Sequence, residues 1–312
     1  MRPALNNYTP LGEDKMKNSD FGSNRFTPLI KLACLILTGC CLTIPALAIE
    51  KLKAEDVVQK HLDSIGTPAA RAAAAHRVIL GSVEFHFRAR GTGQTQGSAV
   101  LASEGLMTLI GMTFPNLEYP HERLGYDGHT FTTGFIRPGV RTVLGDFIKN
   151  RDSVFKDGLI GGTLSTAWPL LDLATRNPKL GYEGTDKING REVYVLSYVP
   201  RKGSDFQIRL FFDAATFQHV RSTYGQVMSA MQGRTDKDSA RQSASRYQVV
   251  EEFGDYKKEG GLTLPHTYKL QLLIDDYSGS SKSEWTLTLT QFELNHPVPA
   301  DSFNVESYKA GS

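Results

Sequence analysis

The sequence is poor in the residues that build reaction chemistry. Its three cysteines, Cys34, Cys40 and Cys41, all precede residue 42. The remaining chain therefore has no thiolate nucleophile, no disulfide framework and no cysteine-ligated metal. There is no G-x-S-x-G elbow for a serine nucleophile. There is no H-E-x-x-H or H-x-x-x-H pair among the eight histidines, and no G-x-x-x-x-G-K-[ST] phosphate loop. The glycines of "GTGQTQG" lack the following helix that phosphate cradling needs.

Two clusters come nearest to a site. His121 and His129 with Glu122 and Asp127 in "YPHERLGYDGH" have metal-binding side chains, but isolated histidines near turns are ordinarily solvated or bonded to backbone. Asp275-Asp276 is the most conspicuous acidic doublet, and it precedes "YSGSS", which reads as a solvated turn. A carboxylate pair defined only by separation in space, as in glycosidases, stays open as a hydrolase reading. No catalytic residue, metal or cofactor is assigned, and the chain is read as a non-enzyme.

Also missing is an apolar run long enough to span a bilayer, which takes roughly 20 residues. The run at 32–44 is shorter and stops at Pro45. It follows Lys15, Lys17, Arg25 and Lys31 and precedes Ala46-Leu47-Ala48, the order of a secretory signal peptide. We expect residues 1–48 to be a signal peptide and 49–312 a single exported domain in the periplasm. Met16 is an alternative start, and "LTGC" at 37–40 is an alternative processing box that would place a lipid anchor on Cys40.

A one-sided charge is absent too. The leader holds five of the 35 Lys/Arg and three of the 33 Asp/Glu, so 30 of each remain. A balanced chain lacks the basic excess that nucleic-acid binding needs.

What is present is alternation. A helix is expected over "KAEDVVQKHLDSIG", where Val57, Val58, His61, Leu62 and Ile65 recur at helical spacing and Gly66 stops it. From Arg77 the period drops to two. Val83, Phe85 and Phe87 alternate with polar residues, as do Ile208, Leu210 and Phe212, then Tyr268, Leu270, Leu272 and Ile274, then Trp285, Leu287 and Leu289. One apolar face and short connections favour antiparallel pairing. Weaker strand signals near 97–103, 105–114, 129–136, 181–188, 192–199, 218–225 and 246–256 bring the count to about eleven, and a sheet that wide must curl. "NG" at 189–190 reads as a type I′ hairpin turn. The strand at 192–199 is apolar on both faces. The polar stretch 226–246 reads as a long loop between strands.

The curl needs a filler. "GDFIKNRDSVFKDGLIGGTLSTAWPLLDL" is the only apolar helical segment in mid-chain, with Leu164, Trp168 and Leu171 at helical spacing, and Pro169 predicts a kinked or restarted helix. Its expected place is the concave face of the sheet.

The opening "AEDVVQKHLDSIG", the meander "YEGTDKINGREVYVLSYVP", the "F-D-x-x-T-x" segment with its arginine at 211–221, and the closing Asn295, Pro297 and Phe303 together resemble the periplasmic LolA/LolB-like superfamily. That group includes outer-membrane lipoprotein-sorting proteins and the regulator RseB. The resemblance covers most of residues 50–305. It implies an α+β fold, with a curved antiparallel sheet forming an unclosed barrel around short helices, and an apolar cavity for acyl chains. The expected lining is Phe85, Phe87, Leu164, Trp168, Leu171, Phe212, Leu270, Leu272, Trp285 and Leu287. The expected partner is a lipid or the acyl chain of a lipoprotein. The alternative is an envelope protein-binding sensor or regulator whose interior is plugged by its own helices.

Overall fold

The computed structural model describes residues 52–228, 244–277 and 279–306. The expected N-terminal helix is α1 (Ala54–Ile65), followed by α2 (Pro68–Ala73). Glu55 and Asp56 complement the positive N-terminal end of α1. Thr67 caps α2, and Pro68 sits in its first turn, where its missing N–H costs nothing.

The chain then enters a meander of β1 (His76–Arg88), β2 (Thr92–Glu104), β3 (Met107–Thr113), β4 (His121–Tyr126) and β5 (Phe131–Thr133). A small hairpin, β6 (Phe135–Arg137) and β7 (Val140–Arg141), leads to the helical filler. The second half is β8 (Lys179–Ile188), β9 (Arg191–Val199), β10 (Gln207–Asp213), β11 (His219–Met228), β12 (Ser245–Glu259), β13 (Leu262–Asp276) and β14 (Gly279–Leu294).

Twelve strands form one antiparallel sheet in the order β5-β4-β3-β2-β1-β14-β13-β12-β11-β10-β9-β8. Its two edges, β5 and β8, do not pair with each other, so the sheet is unclosed. The expectation of about eleven strands missed β4. Residues 121–126 are half charged in sequence, yet Glu122, Leu124, Gly125 and Tyr126 are all buried. The expected loop at 226–246 is also shorter at both ends, because β11 runs to Met228 and β12 starts at Ser245; residues 229–243 lie outside the described residues.

The two halves meet where β1 pairs with β14, with Phe85 opposite Trp285 and Val83 opposite Leu287. A bulge between Leu80 and Gly81 bends this seam. Only glycine fits at 81, since a Cβ there would lie 2.1 Å from the Thr288 carbonyl oxygen. Asn189 and Gly190 both have positive φ, as the type I′ turn requires. On the outer face, Val193, Val195 and Phe211 form a small second cluster with Ile188 and Val220, which accounts for the two-sided apolar pattern of β9.

Candidate functional site

The filler runs from 143 to 176 and is a string of short pieces. They are α3 (Val143–Lys149), α4 (Ser153–Lys156), single 3-10 turns at Gly162–Leu164 and Pro169–Asp172, and α5 (Leu173–Arg176). Positive φ at Gly158, Gly161 and Gly162 breaks the helical path, and Pro169 restarts it. Leu144, Ile148, Val154, Phe155, Leu159, Leu164, Trp168 and Leu170 from this segment are nearly inaccessible to solvent. They pack against the inner faces of β1 to β5 and β9 to β14 as one apolar core.

Of the ten residues expected to line a cavity, Leu164, Trp168, Phe212, Leu270, Leu272, Trp285 and Leu287 lie in this core, and Phe85 and Leu171 pack against it. Phe87 lies apart, at the rim, beside two open clefts of about 500 and 480 Å³. The lining residues fill space instead of enclosing it. Where Leu164 faces Leu101 and Ile110, the gap is about 10 Å³, room for roughly one water. Trp285 stacks on Phe85, ring centroids 5.2 Å apart, and Tyr119 from the β3–β4 loop covers both. The Trp285 indole donates to the Tyr119 hydroxyl at 2.8 Å.

The segment is tied to the sheet by buried polar groups. Arg77 opens β1 on the inward parity of Ile79 and Val83 and is 2% exposed. Its guanidinium donates to the carbonyls of Thr163 at 2.7 Å and Ser165 at 3.4 Å. Burial lowers its pKa to about 10. Glu251 on β12 accepts from the Gly161 N–H at 2.7 Å, the Tyr268 hydroxyl at 2.7 Å and the Tyr224 hydroxyl at 2.6 Å. Glu122 on β4 accepts from Tyr119 at 3.0 Å and from Thr142 at 2.6 Å, while Thr142 caps α3 through the Gly145 N–H. Burial pushes both carboxyls up to about 7. At the other end, His61 on α1 accepts the Trp168 indole N–H on Nε2, so its Nδ1 carries the proton toward the Phe217 carbonyl. Burial lowers the His61 pKa to about 4.

Sequence reading missed the buried roles of Arg77 and Glu251, and weighed Glu122 only as a metal ligand beside His121 and His129. The signal was a charged residue on the apolar parity of a strand, as in Tyr247, Val249, Glu251, Phe253.

Two of the acidic side chains weighed for chemistry, Asp127 and Asp275, are engaged in local turns. Asp127 holds its own turn through the N–H groups of His129 and Thr130. Asp275 accepts from the Ser280 hydroxyl. Among the described residues no three His, Asp or Glu side chains converge as a metal site.

No family model matches the chain, and no curated protein does. Among solved structures it is similar to the LolA superfamily protein NE2245 from Nitrosomonas europaea, with 12% identity and a TM-score of 0.41 over 81% of this chain and 98% of that one. A putative outer membrane lipoprotein-sorting protein domain from Vibrio parahaemolyticus gives 12% identity and 0.41 over 80% and 97%. The MucA/MucB complex of Pseudomonas aeruginosa gives 12% and 0.22 over 78% and 100%. The unclosed sheet around short helices is the fold that the LolA/LolB-like resemblance implies. The scores are low, and the architecture stands on the strand order and register above.

Proposed function

We propose that this protein is a non-enzymatic periplasmic carrier that takes the acyl chain of a lipid or lipoprotein between its sheet and the 143–176 segment. The observation that carries the reading is the nature of that segment. A broad apolar sheet face is covered by short, glycine-interrupted turns that add no strand to the sheet and are held by polar ties such as Arg77 to Thr163. Swinging the segment out would exchange its side chains for an acyl chain of the same character. Each buried CH₂ of that chain contributes about 0.8 kcal/mol.

Uptake of a fluorescent fatty acid by the delipidated protein tests this. Wild type binds slowly, because the segment must leave first. Arg77→Met removes two charge-assisted hydrogen bonds, worth about 1.5–3 kcal/mol each, and so speeds uptake by about tenfold or more. If neither protein takes up the probe, and native mass spectrometry finds no co-purified lipid, the carrier reading fails.

The interior packing favours a second reading, an envelope protein-binding regulator whose filler never leaves. Under it, Arg77→Met lowers stability without any uptake.

A further inference from the structure

The outer face of the sheet, away from the filler, carries a cleft of about 380 Å³ that reaches from β9 to β13. Ligand clefts run from roughly 300 to 1,000 Å³. Two local irregularities open this one. The β10–β11 register shifts so that Arg221 pairs with Phe211 and His219 with Phe212, which leaves Val220 as the extra residue of a bulge. Val220 joins Val193 in the outer apolar cluster, and the two form a greasy floor. On β12, Phe253 points into the core, so Gly254 takes the outward position. A Cβ there would meet no atom within 4 Å, and the depression is left unfilled.

The cleft walls carry charge that the fold does not fully match. Glu252 is matched by Arg221, its cross-strand neighbour. Asp213, which ends β10, is only 9% exposed. The hydrogen bonds of its own turn, from Ala215 and Thr216, all go to Oδ1, so Oδ2 takes no part in them. On the other wall, Lys269 of β13 stands 3.7 Å from Glu284, and Lys282 holds that carboxylate more closely, at 2.7 Å. A second cation, Arg191, lines the β9 end. An anion on one wall and a cation on the other, over an apolar floor, complement a zwitterion with an aliphatic middle. β10 and β13 are three strand spacings apart, about 14 Å. An extended peptide of three residues covers about 10 Å, and the Asp213 and Lys269 side chains make up the remainder.

We propose that this cleft binds a short peptide with free termini, about three residues long. Its ammonium group is held by Asp213, its carboxylate by Lys269, and an aliphatic side chain lies on Val193 and Val220. Arg191 favours an acidic over a basic residue in the peptide. The cleft is on the sheet face opposite the filler, and it is independent of both the carrier and the regulator readings.

Isothermal titration calorimetry of the full chain with alanyl-leucyl-alanine tests this. Saturable one-to-one binding is expected. The N-acetylated peptide and the C-terminal amide, each short of one charge-assisted contact, should bind at least about tenfold more weakly. Free leucine, too short to reach both walls, should be weakened as much. Gly254→Phe fills the cleft and is expected to abolish binding. Position 254 lies within β12, outside the left-handed region and facing open space, so this variant folds. Asp213→Asn keeps the Oδ1 acceptor of the turn, and it and Lys269→Gln should each cost about tenfold in affinity. Glu84→Gln, on the same outer face but outside the cleft, should change nothing. No binding at millimolar peptide, wild-type affinity in Gly254→Phe, equal affinity for free and blocked peptides, or an equal loss in Glu84→Gln would overturn the proposal. Fatty-acid uptake by Gly254→Phe is expected to match wild type, so the cleft and the carrier reading stand or fall separately.

Discussion

Glu251 has an apolar neighbourhood and three donors, and its carboxyl titrates near 7 where an unfolded glutamate titrates near 4.5. The folded state therefore holds a proton that the unfolded state releases between those values. Its contribution is complete below pH 4.5 and is lost as pH rises through 7. Glu122 acts in the same direction, whereas His61, lowered by burial, and His219, lowered by burial and by His61 beside it, add stability as pH rises toward 6.5. Glu251→Gln keeps the acceptor and removes the titration, so its stability relative to wild type should grow between pH 4.5 and 7, by about 3 kcal/mol at most. Urea denaturation of both proteins across that range checks it; a constant difference would refute the assignment. Of these buried polar groups, sequence reading placed His61 on the apolar stripe of its helix and weighed Glu122 only as a metal ligand, and it did not single out Glu251 or His219. Parity marks which face a charge is on, but whether it meets a carbonyl or a hydroxyl depends on the distant segments that fold over it.

The strands were readable because alternation is a local property that burial of one face imposes on each strand separately. β4 escaped because its outward and buried positions both carry polar side chains, and Glu122 is buried only through its bonds to Tyr119 and Thr142. The filler was legible as an apolar helical segment that has to restart, while its division into five pieces follows from glycines whose conformation is set by contact. Gly158 has φ 71°, and a Cβ there would lie 2.1 Å from the Ala167 carbonyl oxygen. Gly158→Ala must therefore displace the Trp168 turn, at a cost of about 2 kcal/mol or more from left-handed strain and the clash together. The expected result is a lowered denaturation midpoint together with faster fatty-acid uptake. Lowered stability with unchanged uptake would favour the regulator reading. Of the ten lining residues, Phe87 alone stands outside the core, near the end of β1 beside the open clefts.

The whole chain has a leader-like beginning that falls outside the described residues, so its fate is a matter for measurement. Among the described residues no helix is long and apolar enough to cross a membrane. If residues 1–48 are an export signal, the mass of the protein recovered from the periplasm corresponds to a chain starting at Ile49. A chain starting at a lipid-modified Cys40 would place it on a membrane instead, and a mass that includes residue 1 would remove export altogether.

The pairing of β1 with β14 has a consequence for how the molecule comes into being. The last strand made is the sixth in a sheet of twelve, with the N-terminal meander on one side and the rest of the chain on the other. A nascent polypeptide can assemble each flank, but it has nothing to join them until residues 279–294 leave the ribosome. Completion of the sheet is thereby deferred until its central strand has been made.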